Sequence, residues 1–242
     1  MSQPRILLLQ TRAPDDPVIP EEIRIFARNA GVPKENIVPH NLLDGAPALE
    51  RARRLDAVMI GGSGAYFVSQ ANLPDFQGIL AFLVELVESG LPVFASCFGF
   101  QLIVQAFGGE VEFMPEKMEL GTYALQLTEA GRADELLGTL PSTFHAHLGH
   151  KDQATRLPPT FSHLAFSELS PFQAIRFPKK PVWATQFHPE VTREENLGRF
   201  KRYIHLYAAT IDPEDLRATL ARFQPAPETE RLIPRFMQLV FS

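Results

Sequence analysis

Short apolar runs alternate along the first half of the chain with segments whose apolar residues recur at helical spacing. Arg5 to Leu9 reads as a buried strand, and Pro20 to Arg28 follows with helical spacing and a proline suited to a first turn. Asn36 to His40 is short, and Asp56 to Ile60 is a second continuous apolar run. Phe76 to Ser89 has helical periodicity, Gly90 stands where a C-terminal cap belongs, and Leu91 to Ala95 reads as the next strand. Phe98 to Phe107 is helical and stops at Gly108 and Gly109. Such alternation predicts a mostly parallel sheet with helices on both faces and right-handed crossovers.

After Gly109 the pattern shifts. Val111 to Leu127, Ser162 to Phe166, Phe172 to Phe177 and Val182 to Phe187 read as strands with little helix between them. Thr192 to Tyr207 has the period of a closing helix. A further helix start is predicted at Asp212 to Asp215, with Asp as cap and Pro in the first turn, and another helical stretch follows the linker Gln224 to Glu228. The expected organisation is therefore a main domain over residues 1–210 and a helical extension over 211–242.

Composition narrows the function classes. A chain of 242 residues, 45% hydrophobic and 21% charged, can bury a substantial core. Its net charge of −5 and scattered cations argue against a nucleic-acid partner. No apolar run approaches the roughly 20 residues of a membrane span, and the run at Leu7 to Leu9 is too short for a signal core, so a cytoplasmic protein is expected. The single cysteine, Cys97, cannot form an internal disulfide.

Cys97 stands where an apolar strand runs into a helix, with Ala95 and Gly99 two positions to either side. A sharp strand-to-helix turn crowds its neighbours, needs small residues there, and projects the central side chain over the sheet edge. The positive end of the following helix favours a thiolate. Taken as a lone cysteine, Cys97 reads first as a buried small hydrophobe. A base is found in Gln186-Phe-His-Pro-Glu190, where His188 and Glu190 share a face of an extended segment, so the carboxylate can fix the imidazole tautomer. In isolation the same loop reads as a surface turn with Glu190 capping the next helix. The glycine-rich stretch Gly61-Gly62-Ser63-Gly64, predicted as a turn after a strand, lets backbone N–H groups approach a ligand. It fits an oxyanion hole or a plain tight turn, and it lacks both the Walker lysine and a dinucleotide spacing.

In combination, Gly61-Gly62-Ser63-Gly64, Cys97-Phe98-Gly99-Phe100-Gln101 and His188-Pro189-Glu190 resemble the oxyanion turn, the C-x-G-x-Q nucleophile motif and the H-P-E motif of the class I (triad) glutamine amidotransferases, most closely the GMP synthase-like members. The resemblance runs from about residue 5 to about residue 208. It implies a flavodoxin-like α/β fold with a smaller antiparallel β element. It also implies that Cys97 forms a γ-glutamyl thioester, with His188 as base then acid, Glu190 as its orienter, and the N–H groups of Gly62 and Phe98 as oxyanion donors. Gln101 and Gly64 fall in the substrate pocket. Gly149-His150-Lys151-Asp152 corresponds to a substrate-binding segment that usually reads S-H-x-D, from which Gly149 and Lys151 depart.

No cofactor is implied. His145, His147 and His150 form a local cluster, strand alternation puts the first two on one face without an obvious carboxylate partner, and thiol chemistry needs no metal, so none is expected. The implied substrate is glutamine or another γ-glutamyl compound. The chain carries no pyrophosphatase motif, so amination requires a separate synthetase subunit. A stand-alone γ-glutamyl peptide or amide hydrolase would use the same triad, and a scaffold without turnover is the third reading. The tail from Asp212 onward offers a surface for partner docking or homodimerisation, or packs back on the core.

Overall fold

A computed structural model describes residues 3–207 and 216–242. The helix start predicted at Asp212 to Asp215 lies outside the described residues. Elements run β1 (Ile6–Thr11), α1 (Val18–Ala30), β2 (Ile37–Asn41), α2 (Leu49–Arg53), β3 (Ala57–Ser63), α3 (Phe76–Glu88), β4 (Val93–Ser96) and α4 (Phe98–Ala106). There follow β5 (Glu110–Phe113), β6 (Glu119–Leu127), α5 (Glu129–Ala133), β7 (Thr143–His150), β8 (Asp152–Arg156), β9 (Ser162–Phe166), β10 (Ala174–Phe177) and β11 (Val182–Thr185). Helices α6 (Arg193–Arg202), α7 (Ile204–Tyr207), α8 (Leu216–Ala221) and α9 (Leu232–Phe241) complete the described chain.

Nine strands among the described residues form one sheet in the order β2-β1-β3-β4-β11-β10-β9-β6-β7. From β2 to β11 neighbouring strands are parallel, and from β11 to β7 they are antiparallel. The β-rich second half thus extends the parallel sheet instead of standing beside it. Strands β5 and β8 form a separate antiparallel pair.

Residue alternation divides the core. Leu7, Leu9, Val58, Ile60, Val93 and Ala95 face α2, α3 and α4, whereas Ile6, Leu8, Met59 and Phe94 face α1 and α9. Both faces of the parallel strands are covered, which is why they read as unbroken apolar runs. Helix α9 is part of this core: Leu232, Ile233 and Phe236 are buried, and the Phe236 ring meets Phe94 and Trp183 edge-on at 5.5 and 5.9 Å. No helix of the described residues is long and apolar enough to cross a membrane.

Two expected elements divide. The run from Val111 to Leu127 breaks into β5 and β6, which lie in different sheets, with a tight turn over Pro115–Lys117 between them. Pro115 has no N–H to give a ladder and its fixed φ suits a turn. The closing helix starts as expected at Thr192, whose side chain and Glu195 form a reciprocal capping box, but it stops at Arg202. The break falls at Tyr203, and its ring points into the site described next.

Candidate active site

The strand β4 ends at Ser96, and Cys97 makes the junction to α4 with φ 51° and ψ −102°. A non-glycine residue at positive φ is strained, and such strain persists only where surroundings hold it. Here Cys97 N–H donates to the Thr185 carbonyl at 2.7 Å, and a Cβ on Gly99 would stand 2.8 Å from the Ile60 side chain. Gly99 is therefore a requirement of the elbow. The elbow places Cys97, only 4% exposed, at the start of a nine-residue helix.

His188 and Glu190 arrive from the loop after β11. His188 Nδ1–H donates to Glu190 Oε1 at 2.7 Å, and the imidazole lies beside Cys97, both bordering the space a Gly62 Cβ would take. The loop is pinned from three sides. His188 N–H donates to the His147 carbonyl of β7, Asn29 and Arg28 of α1 donate to the Glu190 carbonyl, and Thr192 caps α6. Helix capping thus falls to Thr192, leaving the Glu190 carboxylate to the imidazole.

Electrostatics fix where the proton resides. Burial disfavours charge on His188, yet the Glu190 carboxylate and the Cys97 sulfur outweigh it and push His188 up to about 10. Burial likewise works against the Glu190 carboxylate, and the His188 imidazolium, helped by Arg199, holds it down at about 2. At neutral pH the pair is imidazolium and carboxylate. His147 behaves oppositely: burial, then the charge of His188, lowers it to about 4, so it is a neutral neighbour.

The three glycines of the 61–64 stretch have a common reason, and it differs from that of a turn. Strand β3 continues through Gly61 and Gly62 to Ser63, Gly64 follows in a bend, and none of the three has a positive φ. What each lacks is room for a side chain. A Cβ on Gly61 would stand 2.8 Å from Glu22 Oε1, one on Gly62 2.7 Å from His188 Cε1, and one on Gly64 2.7 Å from the Tyr203 ring. Gly62 therefore lies against the imidazole and the cysteine, and Phe98 opens α4, where first-turn N–H groups have no intrahelical acceptor.

Gly64, Phe98, Gln101 and the segment Gly149 to Asp152 line a cavity with Cys97. Gln101 Nε2–H donates to the Asp152 carbonyl and to Gln186 Oε1 at 2.9 and 3.0 Å, and Gln186 Nε2–H donates to Cys97 Sγ at 3.6 Å. The His150 ring bridges the Asp152 carbonyl and the Glu119 carboxylate of β6 at 3.0 and 3.1 Å. Asp152 accepts from Ser69 N–H and Oγ–H, tying the loop after β3 to the pocket. Lys151 is buried, which lowers its pKa. Of the other histidines on β7, His147 is buried and His145 is exposed. Among the described residues no three His, Cys, Asp or Glu side chains group as a metal site.

Sequence reasoning misses Arg199, Arg12 and Glu22. Arg199 Nη1–H donates to Glu190 Oε1 at 3.4 Å and stands 4.0 Å from both Glu21 and Glu22. Glu22 in turn accepts from buried Arg12 at 3.0 Å. These charges lie on β1's end, α1 and α6, and nothing in their local sequence marks them as partners of the H-P-E loop.

Fold and site together define an α/β protein with a cysteine, a histidine and a glutamate gathered where parallel strands β4 and β11 end. The chain belongs to the glutamine amidotransferase class-I family, whose model matches residues 44–202. It is 33% identical over 122 residues to a glutamine-hydrolyzing GMP synthase subunit of Methanocaldococcus jannaschii, covering 50% of this chain and 63% of that one. The corresponding subunit of Pyrococcus abyssi is 32% identical over 141 residues, covering 58% and 73%. The match thus spans less than two thirds of the M. jannaschii protein, and only 26% of the GMP synthase of Thermosipho melanesiensis. In fold, a glutamine amidotransferase from Thermotoga maritima superposes with a TM-score of 0.73 at 18% identity, over 100% of both chains. A glutamine amidotransferase from Methylobacillus flagellatus gives 0.71 at 21% identity, over 98% of this chain and 95% of that one.

Proposed function

We propose that the protein hydrolyses the γ-amide of glutamine through Cys97, His188 and Glu190. The observation that carries this reading is the grouping itself: a carboxylate 2.7 Å from Nδ1 of an imidazole that lies beside the cysteine of a strained elbow. With the thiol proton held on His188 as the imidazolium, the sulfur attacks the γ-carbonyl carbon. The oxyanion is received by the N–H groups of Gly62 and Phe98. As the tetrahedral intermediate collapses, the C–N bond breaks, His188 returns its proton to the nitrogen, and ammonia departs from a γ-glutamyl thioester. Water, deprotonated by His188, then cleaves the thioester to glutamate and the free thiol. Gln101, Gly64 and the segment Gly149, His150, Lys151 and Asp152 hold the substrate's amino-acid end.

The relatives named as glutamine-hydrolyzing subunits of GMP synthase support a division of labour in which the ammonia passes to a separate synthetase subunit. A glutamine-like electrophile tests the site without depending on that partner. One equivalent is expected to attach to Cys97, and excess glutamine to slow the labelling. A folded protein that leaves Cys97 unlabelled, or is labelled elsewhere, would sink the reading.

A further inference from the structure

A buried carboxylate is costly unless a cation compensates its charge. Among the described residues five acidic side chains are buried, and four of them meet a basic one: Glu22 with Arg12 at 3.0 Å, Glu119 with His150 at 3.1 Å, Asp134 with Arg176 at 3.2 Å and Glu190 with His188 at 2.7 Å. Asp152 is the fifth. It is 2% exposed, and no basic side chain of the described residues stands within ion-pair distance of its carboxylate. Neutral donors alone hold it: Oδ1 accepts from Ser69 Oγ–H at 2.7 Å and Oδ2 from Ser69 N–H at 2.9 Å. A carboxylate offers about four acceptor positions, so each oxygen keeps one for a further donor.

This carboxylate borders the cavity that contains Cys97, and among the described residues of that wall it is the only acidic one. A run of three hydrogen bonds joins it to the nucleophile: Gln186 Nε2–H donates to Cys97 Sγ, and Gln101 Nε2–H donates both to Gln186 Oε1 and to the Asp152 carbonyl. The His150 ring meets the same carbonyl. Asp152 is thus fixed through its backbone by Gln101 and His150, and through its side chain by Ser69. The loop that supplies Ser69 also lends Tyr66 and Phe67 to the cavity wall, and Phe67 N–H donates to Asn72 Oδ1 within it. The result is an anion held in place beside the nucleophile.

The substrate carries the complementary charge. A γ-glutamyl compound with a free α-amino group bears an ammonium ion on the third carbon from the carbonyl that Cys97 attacks. Ser69 stabilises the Asp152 anion without neutralising it, whereas an ammonium brings both the charge and N–H donors. Resting on the amidase reading above, we infer that the Asp152 carboxylate, positioned by Ser69, is the counter-ion of the substrate's α-ammonium group and restricts the site to γ-glutamyl compounds whose α-amine is free. Asp152 is then the specificity-determining residue and Ser69 the positioning residue behind it. Glutamine acylated on its α-nitrogen, as inside a peptide chain, has lost that charge and falls outside the class.

The test follows alkylation of Cys97 by iodoacetamide, a small neutral electrophile, and measures how much of each of two compounds halves its rate. The compounds are glutamine and glutaramate, which has hydrogen in place of the α-amino group. Glutamine is expected to protect at a concentration at least about 100-fold below that of glutaramate, the scale of losing one partner of a buried charge pair. In Asp152→Asn, which keeps the shape but not the charge, the gap is expected to close to within roughly 10-fold. Ser69→Ala leaves the charge without its hydroxyl support and is expected to narrow the gap by roughly 3- to 10-fold, and Ser69→Thr to restore it. General damage to the pocket weakens both compounds alike and leaves their ratio unchanged. Equal protection by the two compounds in the wild-type protein, or a gap unmoved in Asp152→Asn, overturns the proposal. Should Asp152→Asn not fold, a gap unmoved in Ser69→Ala overturns it. Alkylation of Cys97 that neither compound slows is a different result, and it removes the amidase reading beneath the proposal.

Discussion

Glutamine turnover is expected to fall by roughly 10,000-fold or more in the Cys97→Ala protein, because no other group on this site can form the thioester and what remains is binding and the oxyanion donors. The structure makes this substitution a clean one. Cys97 is the N-cap of α4 but its side chain accepts no capping hydrogen bond, so alanine removes no cap. The positive φ is imposed by the backbone bond to Thr185 and by Gly99 against Ile60, which stay in place. A folded Cys97→Ala protein with near-normal ammonia release would mean that some other nucleophile does the chemistry.

The second large effect concerns stability. Phe236→Ala is expected to destabilise the protein by about 3–5 kcal/mol in urea unfolding, the range for emptying a buried aromatic site. Phe236 is fully buried and wedged between Phe94 of β4 and Trp183 of β11, the two strands that lead into Cys97 and the H-P-E loop. Phe241, on the same helix but 41% exposed, serves as the control, and its replacement by alanine is expected within about 0.5 kcal/mol of wild type. Similar small losses at both positions would show α9 to be loosely docked. A large loss at Phe236 alone would show that the C-terminal helix supports the site from behind.

The parallel half of the sheet is legible because strands covered on both faces are apolar at every position, and β1, β3 and β4 read as such runs in the sequence. Helices α3 and α4 are legible for the complementary reason, with Gly90 and Gly108 at positive φ ending them. Strands β7 and β8 carry no such mark. Residues such as His145, His147, Asp152 and Gln153 interrupt their apolar pattern, and several of these polar groups are buried against partners far away in sequence.

The site divides in the same way. Cys97, His188 and Glu190 stand out because a strand-to-helix elbow and an i, i+2 pair leave short-range marks. The glycines at 61, 62 and 64 stand out too, but for a reason the structure changes: they make room for Glu22, His188 and Tyr203 rather than forming a turn. Arg199 and Arg12 leave no such mark, since their carboxylate partners come from other elements. Tyr203 is hidden inside what reads as continuous helix. Glu119, which meets His150 across the β6–β7 ladder, is likewise a product of sheet register.

The measurement closest to the central claim is the state of Cys97 during turnover. Protein acid-quenched while releasing ammonia from glutamine, then digested and weighed, is predicted to carry one γ-glutamyl group on the peptide containing Cys97 and to lose it when glutamine is exhausted. Sustained ammonia release with Cys97 unmodified at every quench time, under conditions where a thioester survives, would contradict covalent catalysis at this residue.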